Sequence, residues 1–266
     1  MKILFPTDLS DESLTAIKGF LPTLIKEGKE TEVKLVHIVE QPVQGATLMV
    51  DITKILITDA ENQLKKEQKI IKEQFGLDVE TIAKIGFYES ELKDLVKLEQ
   101  PDLVVLISKA RYGVMKYVSG QKSLKFIGEL DAPLLIIPEN AVMDTIDKIG
   151  FAIDKGESPT LETMARVESV AGDYDAKVDM VHVSKNEKEN EEFYNRISKS
   201  GEFGDIAMVQ KKSIREGIQL WCLQNEIDIL VAVTHGKSAF TRTFSGSVTR
   251  DLVKDNLLAL LIISQN

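Results

Sequence analysis

PDLVVLIS at 101–108 and IDILVAVT at 227–234 superimpose without a gap at an offset of 126, and reading them as one strand written twice decides the fold. The same offset lays DAPLLIIP (131–138) on LLALLIIS (257–264). Upstream, KLVHIV (34–39) meets DMVHVS (179–184) at offset 145, and ILFPTD (3–8) meets IGFAID (149–154) at offset 146. A unit that recurs at a nearly fixed spacing is an internal repeat. The step from 146 to 126 gives the first copy 20 more residues between its second and fourth strands, and QPVQGATLMVDITKILITDA (41–60) is the natural place for most of them. Leu48, Met49, Val50, Ile52, Ile55, Leu56 and Ile57 make this insert apolar, which suits an interaction surface or a segment folded back on its own domain.

Within each copy, short runs rich in Val, Ile and Leu alternate with longer segments of helical period. KILFP, VKLVHIV, VETIAKI, DLVVLIS and PLLIIP read as strands, and their nearly continuous apolar character fits a parallel sheet covered on both faces. Leu14, Ile17, Leu21, Leu24 and Ile25 share one helical stripe, and Leu92, Leu95 and Val96 another. In the second copy Ser158-Pro159 is placed to open the first helix. Strand-helix alternation builds βαβ units, so the expected fold is α/β: two tandem doubly wound domains, each a five-stranded, mostly parallel sheet flanked by helices. The domains are expected at 1–140 and 147–266, with PENAVMDTIDK (138–148) as the seam. LLIIP (134–138) and LLIIS (260–264) could pair within the chain, sealing two sheet edges as an intramolecular pseudo-dimer, and a homodimer through another face is compatible with this.

Composition narrows the function. The chain has 266 residues, 43% of them hydrophobic and 28% charged, with a formal net charge of −9. Such a balance opposes the broad basic field that grips nucleic acid or an anionic membrane. No apolar run approaches the roughly 20 residues that span a bilayer, and MKILFPTDLS has no leader pattern, so a cytoplasmic protein is expected. Cys222 is the one cysteine, and with Ile218, Leu220, Trp221 and Leu223 around it a buried structural thiol is expected. His37, His182 and His235 have no metal-ligand spacing.

Sites in doubly wound sheets lie beyond the carboxyl ends of the strands, where strand order reverses. After the fourth strand of the second copy comes THGKSAFTRTFSGS (234–247). Gly236-Lys237-Ser238 is not a P-loop, because the glycine that motif needs five positions earlier is Val231. Gly246, Ser247, Val248 and Thr249, opening the next helix, offer close backbone approach, hydroxyl donors and a helix N-terminus to a phosphate chain. Lys237, Arg242 and Arg250 lie beside it. The same residues could serve only as turns and caps, and both readings are open on the residues alone.

Gly236, nine residues, then Gly246-Ser247 resembles the ATP-binding loop of the universal stress proteins, and FPTDLS, VHIV and VHVS are similar to that family's first- and second-strand endings. The resemblance covers the whole chain and implies two fused domains. It implies a stress-response protein that binds ATP or a related adenine nucleotide, with or without magnesium, in a regulatory and non-catalytic role. Carried over, it places Asp154, with Ala152 before it, near the nucleoside and the main chain of Val183 at the adenine edge. Gly236, Gly246, Ser247, Val248 and Thr249 would hold the phosphates. Val233 stands where the family's motif has its first glycine, and could crowd the ribose. The first copy keeps Pro6, Asp8 and Ile38, but Ala110 replaces Gly236 and Gln121 replaces Ser247, with Gly120 and Ser123 retained, so weak or absent binding is expected there. Asp8 could equally cap the following helix. No paired titratable groups or nucleophile elbow point to catalysis, although slow incidental ATP hydrolysis is compatible with such a site. The rival expectation is a scaffold or chaperone-like protein in which both sites are degenerate.

Overall fold

The computed structural model describes the chain except residues 26–29, 41–51, 109–125, 140, 154–159, 201–204, 236–247, 249–250, 253–254, 256 and 266, and gives only the main chain at 198–200, 234–235 and 264–265. In the first half the order is β1 (Lys2–Pro6), α1 (Asp11–Leu24), β2 (Glu32–Val39), α2 (Thr53–Phe75), β3 (Glu80–Ile85), α3 (Tyr88–Glu99), β4 (Leu103–Ser108) and β5 (Leu134–Pro138). The second half repeats it as β6 (Lys148–Ala152), α4 (Leu161–Tyr174), β7 (Lys177–Ser184), α5 (Glu187–Ser200), β8 (Ile206–Gln210), α6 (Ile214–Gln224), β9 (Ile229–His235) and β10 (Ala259–Gln265).

All ten strands form one sheet in the order β3-β2-β1-β4-β5-β10-β9-β6-β7-β8. Every neighbouring pair is parallel except β5 with β10, which run antiparallel with Leu135 opposite Leu261. Those two leucines are 126 residues apart, the repeat offset itself, so each is its own counterpart's partner and a local twofold axis passes between them. Strand order reverses between β1 and β4 in one half and between β6 and β9 in the other.

The α/β architecture follows from burial on both faces. Alternate residues of β1, β6 and β9, such as Phe5, Phe151 and Val231, pack beneath α1, α2, α4 and α5. Their neighbours Leu4, Ala152 and Leu230 pack beneath α3 and α6 and the segments at 126–130 and around Leu252. At about 1.5–3 kcal/mol per fully buried large side chain, these two layers supply the main favourable term for folding. The α1 stripe is wider than its leucines suggest, because Ala16 and Phe20 are buried with Ile17, Leu21 and Leu24.

One expectation needs correction. The first helix of the second half opens at Leu161, not at Ser158-Pro159. Its N-cap is Thr160, whose extended backbone lets the hydroxyl accept from Thr163 N. The extra length of the first half is partly helix, since α2 has 23 residues where α5 has 14. Residues 41–51 of the insert lie outside the described residues, whereas Ile52 and Ile55 are exposed and Leu56 and Ile57 half-buried.

Candidate functional site

In the second half, the reversal of strand order leaves a crevice position above β6 and β9. Ala152, the last residue of β6, is buried and faces α6. It is paired with Val181 on β7, so Val183 lies two positions beyond the end of that ladder. The side chain of Val183 is buried on the same face. It is clamped there by Gly217 of α6, where a Cβ would stand 2.5 Å from Val183 Cγ1. Only a glycine lets the helix come this close to the strand end.

Val233 is opposite in aspect. It pairs with Ile263 on β10, and its half-buried side chain packs on the α4 and α5 face. Val248 is helical and packs against the α6 face, four residues before buried Leu252. The same segment is tied to α6 by Asp255, whose Oδ2 accepts from Gln219 Nε2 at 2.6 Å and stands 3.5 Å from Arg215 Nε. Thus Ala152, Val183, Val233 and Val248 converge on the carboxyl end of the sheet. Asp154, Gly236, Gly246, Ser247 and Thr249, with Lys237, Arg242 and Arg250, lie outside the described residues, as do the side chain of His235 and, in the first half, Gly120 and Ser123.

The histidines of the two copies do the same structural work. His37 Nδ1 donates to Thr7 O at 2.8 Å and His182 Nδ1 donates to Ile153 O at 2.9 Å, a carbonyl being able only to accept. Each ring locks the residue after the first strand to the second strand, beside the matching bonds Thr7 N to Val36 O and Ile153 N to Val181 O, both 2.8 Å. Cys222 is buried as expected, and burial pushes its thiol up to about 12.

In the first half the end of β1 is occupied by polar contacts of the chain itself. Pro6 is buried and Ile38 lies two positions beyond the Pro6–Val36 pair. Asp8 Oδ1 accepts from Ser10 N at 3.1 Å, Ser10 Oγ at 2.6 Å and Ser13 Oγ, while Ser10 caps α1 by accepting from Ser13 N. This network holds Leu9 at a left-handed φ of 60°, with Leu9 N donating to Thr7 Oγ1. The cap of α1 is therefore Ser10, and Asp8 supports it by accepting from Ser10 and Ser13.

Glu67 was not singled out from the sequence. It lies on the buried stripe of α2 with Ala60, Leu64 and Ile71, and its side chain reaches Thr7 beside Asp8. Only 6% of it is exposed, and Oε2 has no hydrogen-bond partner among the described residues. Burial first, then the charge of Asp8, pushes its carboxyl up to about 7 against the hydrogen bond from Thr7. Burial and the charges of Asp8 and Glu40 likewise push the Tyr88 hydroxyl upward. The signal was available: an acidic residue at a stripe position of a helix. One repeat offset later the residue is Phe193, stacked on His182 with centroids 3.6 Å apart and 9° between planes. The two halves thus present different chemistry at one place, a carboxyl in the first and an aromatic-imidazole stack in the second.

A doubly wound α/β chain with candidate ligand positions at its strand-order reversals is a class that hosts many functions. Its family is narrower. The model of the universal stress protein family matches residues 1–138, more than half of the chain, and the chain belongs to the universal stress protein family. A universal stress protein of Methanocaldococcus jannaschii is 26% identical over 142 residues, covering 51% of this chain and 81% of that protein. The crystal structure of a universal stress protein from Archaeoglobus fulgidus aligns over 100% of this chain and 98% of its own, with a TM-score of 0.71 at 17% identity. A functionally unknown protein from Pseudomonas aeruginosa aligns over 99% and 92%, with a TM-score of 0.55 at 14% identity. At these identities the two structures speak for the fold. Family membership supports a role in the stress response, and among the described residues no helix is long and apolar enough to cross a membrane.

Proposed function

We propose that this chain is a stress-response protein that holds ATP, or a related adenine nucleotide, in its second half and acts through that bound state as a regulator. The observation that carries the reading is the difference between the two strand-order reversals. Above β1, an anionic phosphate would meet Asp8 and the buried Glu67. Above β6, Asp154 stands at the repeat position of Asp8, but the residue corresponding to Glu67 is Phe193, and Val248 packs on the α6 face. An anion is favoured at a helix start, and more so where fewer carboxylates face it. Val233 directs its side chain toward the α4 and α5 core, which leaves the β6 and Val183 side of the crevice to the nucleoside. Asp154 would lie near the nucleoside and Gly236, Gly246, Ser247, Val248 and Thr249 would hold the phosphates, with or without magnesium. The two domains divide at 140–147 and pair through β5 and β10.

The test is nucleotide retention and linkage. Purified protein, denatured and read by mass spectrometry, should release an adenine nucleotide, and added ATP should raise the melting temperature, since a ligand that binds only the folded state stabilises it. Ser247→Gln, which writes the residue of the first copy into the second, should abolish that rise. Absence of nucleotide together with a melting temperature indifferent to millimolar ATP would leave the scaffold reading, for which exposed Ile52 and Ile55 at the start of α2 would be the contact surface.

A further inference from the structure

The local twofold between β5 and β10 relates two surfaces, one beside α1 and one beside α4, and they are filled differently. Aligned on their caps Ser10 and Thr160, the helices correspond at an offset of 150, which matches buried Ser13, Ile17 and Leu21 to buried Thr163, Val167 and Ala171. On the α1 side the chain covers its own helix. Met143 N donates to Gly19 O at 3.3 Å, Thr23 Oγ1 donates to Met143 O, and Ala141 O passes 2.9 Å from where a Cβ on Gly19 would stand. Ala141 and Met143 pack on the core beneath, and Ile146 is buried.

The counterparts of Gly19 and Thr23 are Ser169 and Asp173. Both line a cavity of about 760 Å³ that runs beside α4 and across the axis, floored by Leu103, Leu135, Leu261 and Ile263. That volume is within the roughly 300–1,000 Å³ of ordinary ligand sites. Its rim carries three acids, Glu30, Asp102 and Asp173, against two cations, Arg166 and the Met1 ammonium, which donates to Glu30 O at 2.8 Å.

We propose that this cavity is a docking groove for an extended peptide of a partner protein, one that lies along α4 as residues 141–146 lie along α1. Two observations select the occupant. The twofold-related surface is covered by a segment outside helix and strand whose main chain bonds to the helix, which makes a peptide with a small residue facing the helix and an apolar one facing the core the matching occupant. The acidic rim selects a basic side chain next to that apolar residue, whereas the chain's own segment has Asp144 there. None of the lining residues is among those proposed to hold the nucleotide, although Ile263 of the floor pairs with Val233 beside that position.

The probe is a fluorescein-labelled peptide Ala-Val-Met-Lys-Thr-Ile, titrated against the full chain by fluorescence anisotropy. Saturable binding is expected, weakened about tenfold or more by Ser169→Trp, which fills the groove from an exposed helix position, and by Asp173→Lys, which reverses the rim charge. Circular dichroism and melting temperature establish that both variants are folded. Replacing the peptide's lysine by aspartate should weaken binding as much as Asp173→Lys does. No saturation at millimolar peptide overturns the proposal, and so does binding that Ser169→Trp leaves unchanged. Hexylamine competing as strongly as the peptide would also overturn it, since the site would then take a small apolar amine.

Discussion

Replacing Glu67 by glutamine should make the protein more stable, by an amount that grows as pH rises from about 4.5 to about 7. The carboxyl titrates at about 7 in the folded chain, against an ordinary value of 4.5, because burial and the neighbouring Asp8 disfavour its charge. The folded state therefore binds this proton more tightly than the unfolded state. Below pH 4.5 the group is neutral in both and costs nothing. Between about 4.5 and 7 the unfolded chain ionises first, so stability falls as pH rises, and the penalty is complete above the folded value. At about 1.4 kcal/mol per pH unit the ceiling is about 3 kcal/mol, and solvent reaching the carboxyl brings a realistic figure to ~1–2 kcal/mol. Glutamine keeps an acceptor for Thr7 and removes the charge, while its NH₂ falls at the place of Oε2 and gives back up to about 1 kcal/mol if it finds no acceptor. The assay is urea unfolding of both proteins at pH 5 and pH 8 with the denaturant slope held as a control. The expected result is a higher midpoint for Glu67→Gln at pH 8 and a much smaller rise at pH 5. An equal change at both pH values, or a loss at pH 8, would refute the argument, because the charge of Glu67 would then not be what the fold pays for.

Three further outcomes follow from packing and capping. Gly217→Ala should destabilise by about 1–3 kcal/mol through the clash with Val183, offset in part by alanine's better helix propensity. Adding Val183→Ala should recover part of the loss, a coupling that a double-mutant cycle reads. Ser10→Ala should cost about 0.5–2 kcal/mol in thermal unfolding, since it removes both the cap of α1 and a partner of Asp8. Cys222 should resist a thiol reagent in the native protein at pH 8 and react once urea unfolds it, because the thiolate is the reactive form and burial suppresses it.

The repeat, the strands and the buried faces of α1 and α3 were legible before any coordinates, because burial writes a period into the chain that a single sequence displays. The shared role of His37 and His182 was also legible, as two residues at one repeat position. The start of α4 was not, since Ser158, Pro159 and Thr160 are all capable of opening a helix and only backbone geometry chooses Thr160.

What the sequence by itself determined is this αβ alternation, doubled, and the family that its strand endings and glycine spacing resemble. Tertiary structure alone decided the rest. Glu67 reaches Thr7 across 60 positions of chain, and the groove beside α4 joins residues from Met1 to Ile263. Local patterns carry the energetics of neighbours, whereas a buried carboxyl's proton and a cavity across a twofold axis depend on which distant surfaces meet. No periodicity in the chain encodes those meetings, and the groove exists only once β5 and β10 have paired.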